Sequence, residues 1–348
     1  MKKNPEIRIG KRRIGVDYPP LVIAEIGINH EGSMKKAKRM IDDAHVAGCE
    51  IAKFQSHILE DEMVPVARNI VPGNADVSIW DIMARCAFSE TEERELKAYV
   101  ESKGMMYLCT PFSRAAADRL KKIGVVAYKI GSGECNNYPL VEHIAKFGKP
   151  IILSTGMNDI RAIAQSVKIF HTYKTPYALL HCTSMYPTPY REVRYGAIAQ
   201  MRKAFPDAVL GLSDHSLGIW TCLGAVALGA SILEKHFTSD MKWSGPDIEI
   251  SLDPTGLCNM IIGSRAIWEA RGGEKRILKK EKPTIDFAYA TVVTIADVKR
   301  GEKFTMKNLW VKRPGTGKIL AEQFPKILGK RATQNIAKDV QLTPKMFR

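Results

Sequence analysis

Eight short runs rich in β-branched and aliphatic residues recur along the chain with amphipathic stretches between them, and no other feature narrows the fold as far. The runs are residues 20–29, 50–56, 105–111, 127–132, 150–156, 177–183, 208–215 and 232–238. The stretches SMKKAKRMIDDAHVAG (33–48) and SRAAADRLKKIG (113–124) carry apolar residues at helical spacing. Strands that alternate with helices require crossover connections and therefore a parallel sheet. Eight such units predict an α/β chain closed as a (β/α)8 TIM barrel over residues 20–272, with 254–273 as its last helix.

Within each run the early positions are apolar and the polar residues gather at the end. Glu25, Lys53, Gln55, Thr110, Ser132, Ser154, Ser213, His215, Glu234 and His236 follow this pattern. Residues two apart on a strand share a face, as in Lys53/Gln55, Ser213/His215 and Glu234/His236. Barrel active sites lie at the C-terminal ends of the strands, and buried polar groups without partners are costly, so the pattern predicts a functional rim. Segment 58–93 is too long for an ordinary strand-to-helix loop and is expected to serve function or assembly. Residues 1–19 read as a hairpin extension under the barrel. A charged, Gly- and Pro-containing linker spans 273–286, and residues 287–348 form a separate β-rich module.

The rim residues suggest chemistry. His215 and His236 end adjacent strands and suit a divalent metal completed by substrate oxygens, with Asp247 in reach of the same rim. Lys129, Ser132, Ser154 and Ser213, with Gly131, Gly133 and Gly156, make a candidate phosphate cradle. Glu25, Glu134 and Glu234 are the acid–base candidates. Glu25 stands among apolar residues, where an ionised carboxylate needs a partner, and Lys53 is the expected one. Phe112, Tyr186 and Trp310 could line a sugar pocket. Nucleotide binding through GxxxxGK[ST] or GxGxxG loops is disfavoured, since neither motif occurs.

Composition sets limits on partners. The formal charge of +15 is spread along the chain without a nucleic-acid motif, so a solvated surface tuned toward anionic substrates is expected, with no nucleic acid partner. The basic start MKKNPEIRIGKRRIG lacks the apolar core of a secretory signal, and no run is long and apolar enough to span a membrane. The chain therefore reads as cytoplasmic. Its 7 cysteines form no CxxC pair and read as free thiols.

The segments IAEIGINHEGSMKKAKRMI, KFQSHILEDEM, IVPGNADVSI, YKIGSGECNNYPL, ILSTGM, HCTSMYPTP, GLSDHS, ILEKHFT and GPDIE, in this order, resemble the bacterial sialic acid synthase family. The tail TVVTIADVKRGEKFTMKNLWVKRPGTG is similar to that family's antifreeze-like (SAF) domain. The resemblance implies a domain-swapped homodimer that condenses phosphoenolpyruvate, N-acetylmannosamine and water to N-acetylneuraminate and phosphate. Related acceptors leading to legionaminic or pseudaminic acid are the alternative. It further implies a divalent ion, Mn2+ before Mg2+ or Co2+, held by His215 and His236. Phosphoenolpyruvate would contact Lys53, Thr110, Lys129, Ser132, Ser154, Ser184 and Ser213. Glu25 would manage protons, and Glu234 would orient the metal site. Gln55, Phe112, Glu134, Tyr186 and Asp247 would meet the sugar or the metal's water, and Arg313 would reach a partner's sugar. Three positions depart from the family pattern: Phe54 stands for His, Ser184 for Asn, and Lys235, expected to point away from the rim, for Arg.

Overall fold

The computed structural model describes residues 3–73 and 75–348, and the chain divides into two compact units that meet in sequence at Gly272 and Gly273. The first unit opens with an antiparallel hairpin of β1 (Glu6–Ile9) and β2 (Arg12–Gly15). The next strands are β3 (Leu21–Gly27), β4 (Ile51–Ser56), β5 (Met106–Pro111), β6 (Tyr128–Ile130), β7 (Ile151–Ser154), β8 (Tyr177–Cys182), β9 (Val209–Asp214) and β10 (Ile232–His236). Among the described residues these eight form one parallel sheet in the order β5-β4-β3-β10-β9-β8-β7-β6. First and last strands pair, His236 opposite Glu25, and the two ends of the order, β5 and β6, lie side by side. The result is the expected barrel.

Around it run α1 (Met34–Val46), α2 (Leu59–Glu62), α3 (Ile79–Cys86), α4 (Glu90–Ser102), α5 (Arg114–Ile123), α6 (Tyr138–Ala145), α7 (Ile160–Thr172), α8 (Gly196–Ala204), α9 (Trp220–Ala227) and α10 (Pro254–Ala270). Local chemistry sets their starts. Ser33, Ser113, Asp159 and Asp253 each accept a backbone N–H at the N-cap, and Ser89 with Glu92 forms a capping box. Segment 58–93 folds as α2, a 3-10 turn at Pro65–Asn69 and α3 before α4 begins.

Strand parity divides the core in two. Leu21, Ile23, Ile51, Leu108, Ala127, Ile152, Ala178, Leu180, Val209 and Ile232 fill the barrel interior, and Ile7, Ile9 and Ile14 of the hairpin pack against them. The alternate residues Val22, Ala24, Ala52, Phe54, Tyr107, Leu153, Leu179, Leu212 and Leu233 face the helices. Burying an aliphatic side chain on either side contributes about 1.5 to 3 kcal/mol. Gly211 faces inward at a tight point. A Cβ there would sit 2.4 Å from Ile232 O and 2.5 Å from Leu180 Cδ2, so glycine lets β9 and β10 close.

The second unit runs from Gly273 to Arg348. It holds α11 (Lys282–Ala288), an antiparallel pair of β11 (Thr291–Thr294) and β12 (Leu309–Lys312), and α12 (Phe324–Ile327). Val292, Val298, Phe304, Leu309, Ile319, Ile327, Ala332, Ile336 and Leu342 make its own core. The stretch read as a linker is partly ordered. A 3-10 turn covers Lys279–Glu281, and Pro283 sits in the first turn of α11, where its missing N–H costs nothing. The helix is also tied to the RPGTG loop, because Gly315 N donates to Asp286 O at 2.8 Å. Among the described residues no helix is long and apolar enough to cross a membrane, and the seven cysteines are all free.

Candidate active site

Parity carried one step past the apolar layer puts Glu25, Lys53, Gln55, Thr110, Lys129, Ser154, Cys182, Ser213, His215, Glu234 and His236 at the C-terminal mouth of the barrel. They line one cavity of about 290 Å³, together with Phe112, Ser132, Met157, Ser184 and Tyr186. Of the first unit's residues expected at the site, Glu134 and Asp247 are not on its wall, and Trp310 and Arg313 belong to the second unit. Glu134 lies in the turn after β6, where its Oε2 accepts from Asn137 Nδ2 at 2.5 Å. Asp247 is buried behind His236. Arg313 is exposed after β12 in the second unit.

Four charged side chains form the floor, all buried. Lys53 Nζ lies 2.6 Å from Glu25 Oε2 and 3.8 Å from Glu234 Oε2, and donates to Thr110 Oγ1 at 3.2 Å. Lys129 Nζ donates to Ser154 Oγ at 2.7 Å and lies 3.5 Å from Glu234 Oε1, which also accepts from Ser213 Oγ at 3.0 Å. The two carboxylates are driven apart. Burial pushes Glu25 up, and Lys53 only partly restrains it. Burial also pushes on Glu234, but Lys129, Lys53 and the Ser213 hydroxyl outweigh it and hold that carboxyl below its ordinary range. Glu25 is thus the group that can carry a proton and Glu234 the fixed anion, the division that acid–base sites use. Burial pulls the Lys129 ammonium down, so an arriving anion would stabilise its charge.

The hydroxyl cluster expected to cradle phosphate depends on one glycine. Gly156 N donates to Ser132 Oγ at 3.0 Å. A Cβ on Gly156 would lie 2.4 Å from Ser184 Oγ, 2.9 Å from Ser132 Oγ and 3.1 Å from Cys182 Sγ. Any side chain there would displace the hydroxyls that the sequence places at the site.

The two histidines stand 5.5 Å apart between ring centroids, with Tyr186 stacked on His215 at 4.2 Å. His215 Nδ1 is 2.9 Å from Thr183 O, which fixes the ring and leaves its other nitrogen for a ligand. Burial opposes charge on His215, but Cys182, its Sγ 3.9 Å away, and the Thr183 carbonyl draw it above its ordinary value. Burial and the surrounding cations hold His236 well below the usual histidine range, so it is a neutral imidazole. Its Nδ1 is buried without a hydrogen-bond partner among the described residues, and Asp247 Oδ2 is 3.7 Å off.

Burial pushes the Asp247 carboxyl from 3.8 up to about 6, with His215 opposing. A raised carboxyl stabilises the fold below its unfolded value and loses that contribution as pH rises through the folded one. Asp247→Asn should therefore gain as much as about 3 kcal/mol on the parent at alkaline pH and little at acid pH, in urea unfolding of metal-free protein at about pH 4 and about pH 8. Parallel unfolding curves at the two pH values would refute it.

Two of the three departures from the family pattern face away from the cavity. Phe54 stacks on Tyr107 on the helix side at 5.7 Å. Lys235 is fully buried on the outer face of β10, 2.6 Å from Asp214 Oδ2. Ser184 does line the cavity. Cys182 and Met157 were not singled out from sequence. Cys182 was findable, because it follows Ala178 and Leu180 on the inward parity of β8.

The comparisons agree over most of the chain. Residues 40–276 match the NeuB family and residues 289–348 the SAF domain. The uncharacterized protein MJ1065 of Methanocaldococcus jannaschii is 38% identical, over 90% of this chain and 90% of its own. The N,N'-diacetyllegionaminic acid synthase of Campylobacter jejuni is 36% identical, over 92% and 97%. The crystal structure of the N-acetylneuraminic acid (sialic acid) synthetase of Leptospira borgpetersenii, 34% identical, superposes with a TM-score of 0.74 over 81% of this chain and 95% of that one. With the barrel, the second unit and both matches in the same order along the sequence, the chain belongs to the NeuB family and carries a C-terminal SAF domain.

Proposed function

We propose that the chain is a phosphoenolpyruvate-dependent synthase of nonulosonic acids. C3 of phosphoenolpyruvate bonds to the aldehyde carbon of an open-chain N-acylated hexose, water adds at C2, and phosphate leaves by C–O cleavage. The observation that carries this reading is the cavity floor, where two buried ammoniums and a hydroxyl cradle surround one protonatable carboxyl. Lys53, Lys129, Thr110, Ser132, Ser154, Ser184 and Ser213 would bind the phosphate and carboxylate of phosphoenolpyruvate. Glu25, raised by burial, suits the proton traffic: the aldehyde oxygen needs a proton as the carbon–carbon bond forms, and the water adding at C2 gives one up. Gln55, Phe112 and Tyr186 would line the sugar's side. Glu134 and Asp247, off the wall, would act on it only indirectly, and Arg313 would reach the acceptor's N-acyl group from a partner protomer in a homodimer.

His215 and His236 would hold a divalent ion, Mn2+ before Mg2+ or Co2+. The fit rests on the neutral, buried His236 imidazole, whose Nδ1 has no hydrogen-bond partner among the described residues. Among the described residues no three His, Cys, Asp or Glu side chains are grouped to hold a metal, so oxygens of substrate or water would complete the shell. Such an ion would supply Lewis acidity toward the aldehyde oxygen.

For the acceptor we propose N-acetylmannosamine, giving N-acetylneuraminate, in line with the Leptospira relative. The comparable identity to the Campylobacter legionaminic acid synthase supports a second reading, a 2,4-diacetamido-2,4,6-trideoxyhexose. Purified protein with phosphoenolpyruvate, Mn2+ and each sugar in turn should release phosphate with N-acetylmannosamine and give a product of N-acetylneuraminate mass. Consumption of the trideoxy sugar alone would overturn the acceptor, and no phosphate with either would overturn the class.

A further inference from the structure

Glu25 is the near end of a hydrogen-bond chain that leaves the cavity. Gln55 Nε2 donates to Glu25 Oε1 at 3.1 Å, and Gln55 Oε1 is 3.0 Å from His57 Nε2. The second ring nitrogen, Nδ1, is 2.8 Å from Glu62 Oε2 on α2. His57 is 3% exposed, and its ring stacks on Phe112 at 4.7 Å with 14° between planes, which leaves it little room to swing.

Donor and acceptor counting then fixes its state. Gln55 Oε1 and Glu62 Oε2 both accept, so each needs an N–H from the ring. A neutral imidazole has one N–H and one lone pair, whereas an imidazolium has two N–H groups. While Glu25 is ionised, turning the Gln55 amide end for end would bring its carbonyl oxygen against the Glu25 carboxylate. In that state the arrangement with every contact satisfied has a charged ring.

We propose that His57 is a positioning residue for the Glu25 site: as an imidazolium clamped by Glu62, it holds the Gln55 amide with its N–H on the Glu25 carboxylate. The groups facing the ring suit a cation. Glu62 comes from α2. Glu93 comes from α4, buried, bonded to Ser56 Oγ at 2.7 Å and to Arg119 at 3.1 Å; burial pushes its carboxyl up, and when ionised it is a second anion on the ring's side. His30, in the loop after β3, is held by burial at about 3 and stays neutral, so it does not repel. The device also gives segment 58–93 a task, since Glu62 links it to the reacting carboxyl through three hydrogen bonds. Loss of one ring proton would set a lone pair against an acceptor and release Gln55.

This proposal rests on reading Glu25 as the proton-carrying group, and one measurement is independent of that reading. Ring-nitrogen NMR of ¹⁵N-histidine-labelled protein without substrate, with His57 assigned by its absence in His57→Gln, should show both His57 nitrogens protonated at neutral pH. One unprotonated nitrogen there overturns the proposal, whatever reaction the protein performs. In turnover assays, His57→Gln should lower kcat by on the order of 10- to 100-fold while the KM for phosphoenolpyruvate stays near the parent's. Glu62→Gln keeps the ring and removes its anion, so it should preserve kcat at low pH and move the alkaline limb of the pH profile downward. An unmoved limb in Glu62→Gln, or a parental kcat in folded His57→Gln, overturns the positioning role.

Discussion

Lys53→Met is expected to lower kcat/KM for phosphoenolpyruvate by on the order of 1,000-fold, the scale seen when a preorganised charge partner is removed from a dry site. Methionine matches the lysine stem in length, so packing against the strand is kept and the charge is what goes. Lys53 lies between Glu25 at 2.6 Å and Glu234 at 3.8 Å. Without it the two carboxylates face each other with Lys129 alone, 3.5 Å from Glu234 Oε1. Burial already pushes Glu25 up, Lys53 holds it down, and Glu234 adds to the push. Loss of the lysine leaves only the Gln55 amide against both upward influences, so Glu25 would hold its proton more tightly and give it up less readily. The variant should also be less stable than the parent at alkaline pH and closer to it at acid pH. A carboxyl raised in the folded state stabilises only below its unfolded value and loses that contribution as pH rises through the folded one. Steady-state kinetics with urea unfolding at about pH 5 and about pH 8 would check both. A variant with most of the parental kcat/KM would remove Lys53 from the substrate site.

The floor of the site was legible because barrel strands turn sequence parity into geometry. Residues 21, 23 and 25 share the interior, so an apolar, apolar, glutamate series places the carboxyl just above the last packed layer. The same parity puts Lys53, Thr110, Lys129, Ser154, Ser213, Glu234 and both histidines in one cavity. It fails where the chain leaves a strand. Glu134 follows Lys129 closely in sequence, but β6 ends at Ile130 and the 3-10 turn Ser132–Glu134 carries its carboxyl to Asn137. Glu62 could not be foreseen beside His57, since no period in segment 58–93 says where α2 will lie. The ordered end of the linker was hidden by its charge. Lys282 and Asp286 pair along α11, so residues that suggest a solvated coil also support a helix.

Lys235→Met should destabilise the barrel by about 3 to 5 kcal/mol, the usual cost of removing one partner of a buried ion pair. Lys235 and Asp214 are register partners on β10 and β9, and their side chains meet at 2.6 Å on the face away from the cavity. Asp214 Oδ2 also accepts from Thr221 Oγ1 and Ser216 Oγ at 2.9 Å each, and Lys235 Nζ bonds Ser216 O. The network ties β10, β9 and the start of α9 together at the level of the histidines. His215 follows Asp214 and His236 follows Lys235, so the outward pair pins the two strands whose next residues face the cavity. With methionine at 235 the Asp214 carboxylate keeps two hydroxyl donors but loses its counter-charge in a site where burial penalises the ionised form. Lys235→Met with Asp214→Leu removes both charges and should recover much of the loss, because the penalty belongs to the unpaired ion rather than to the missing attraction. Urea unfolding of the parent, both single variants and the double variant gives the coupling directly. Mn2+ binding to the same four proteins separates stability from placement. If the pair sets the distance between the histidines, the double variant will regain stability while binding Mn2+ more weakly than the parent. Equal Mn2+ affinity in the parent and the double variant would reduce the pair to a stability element alone.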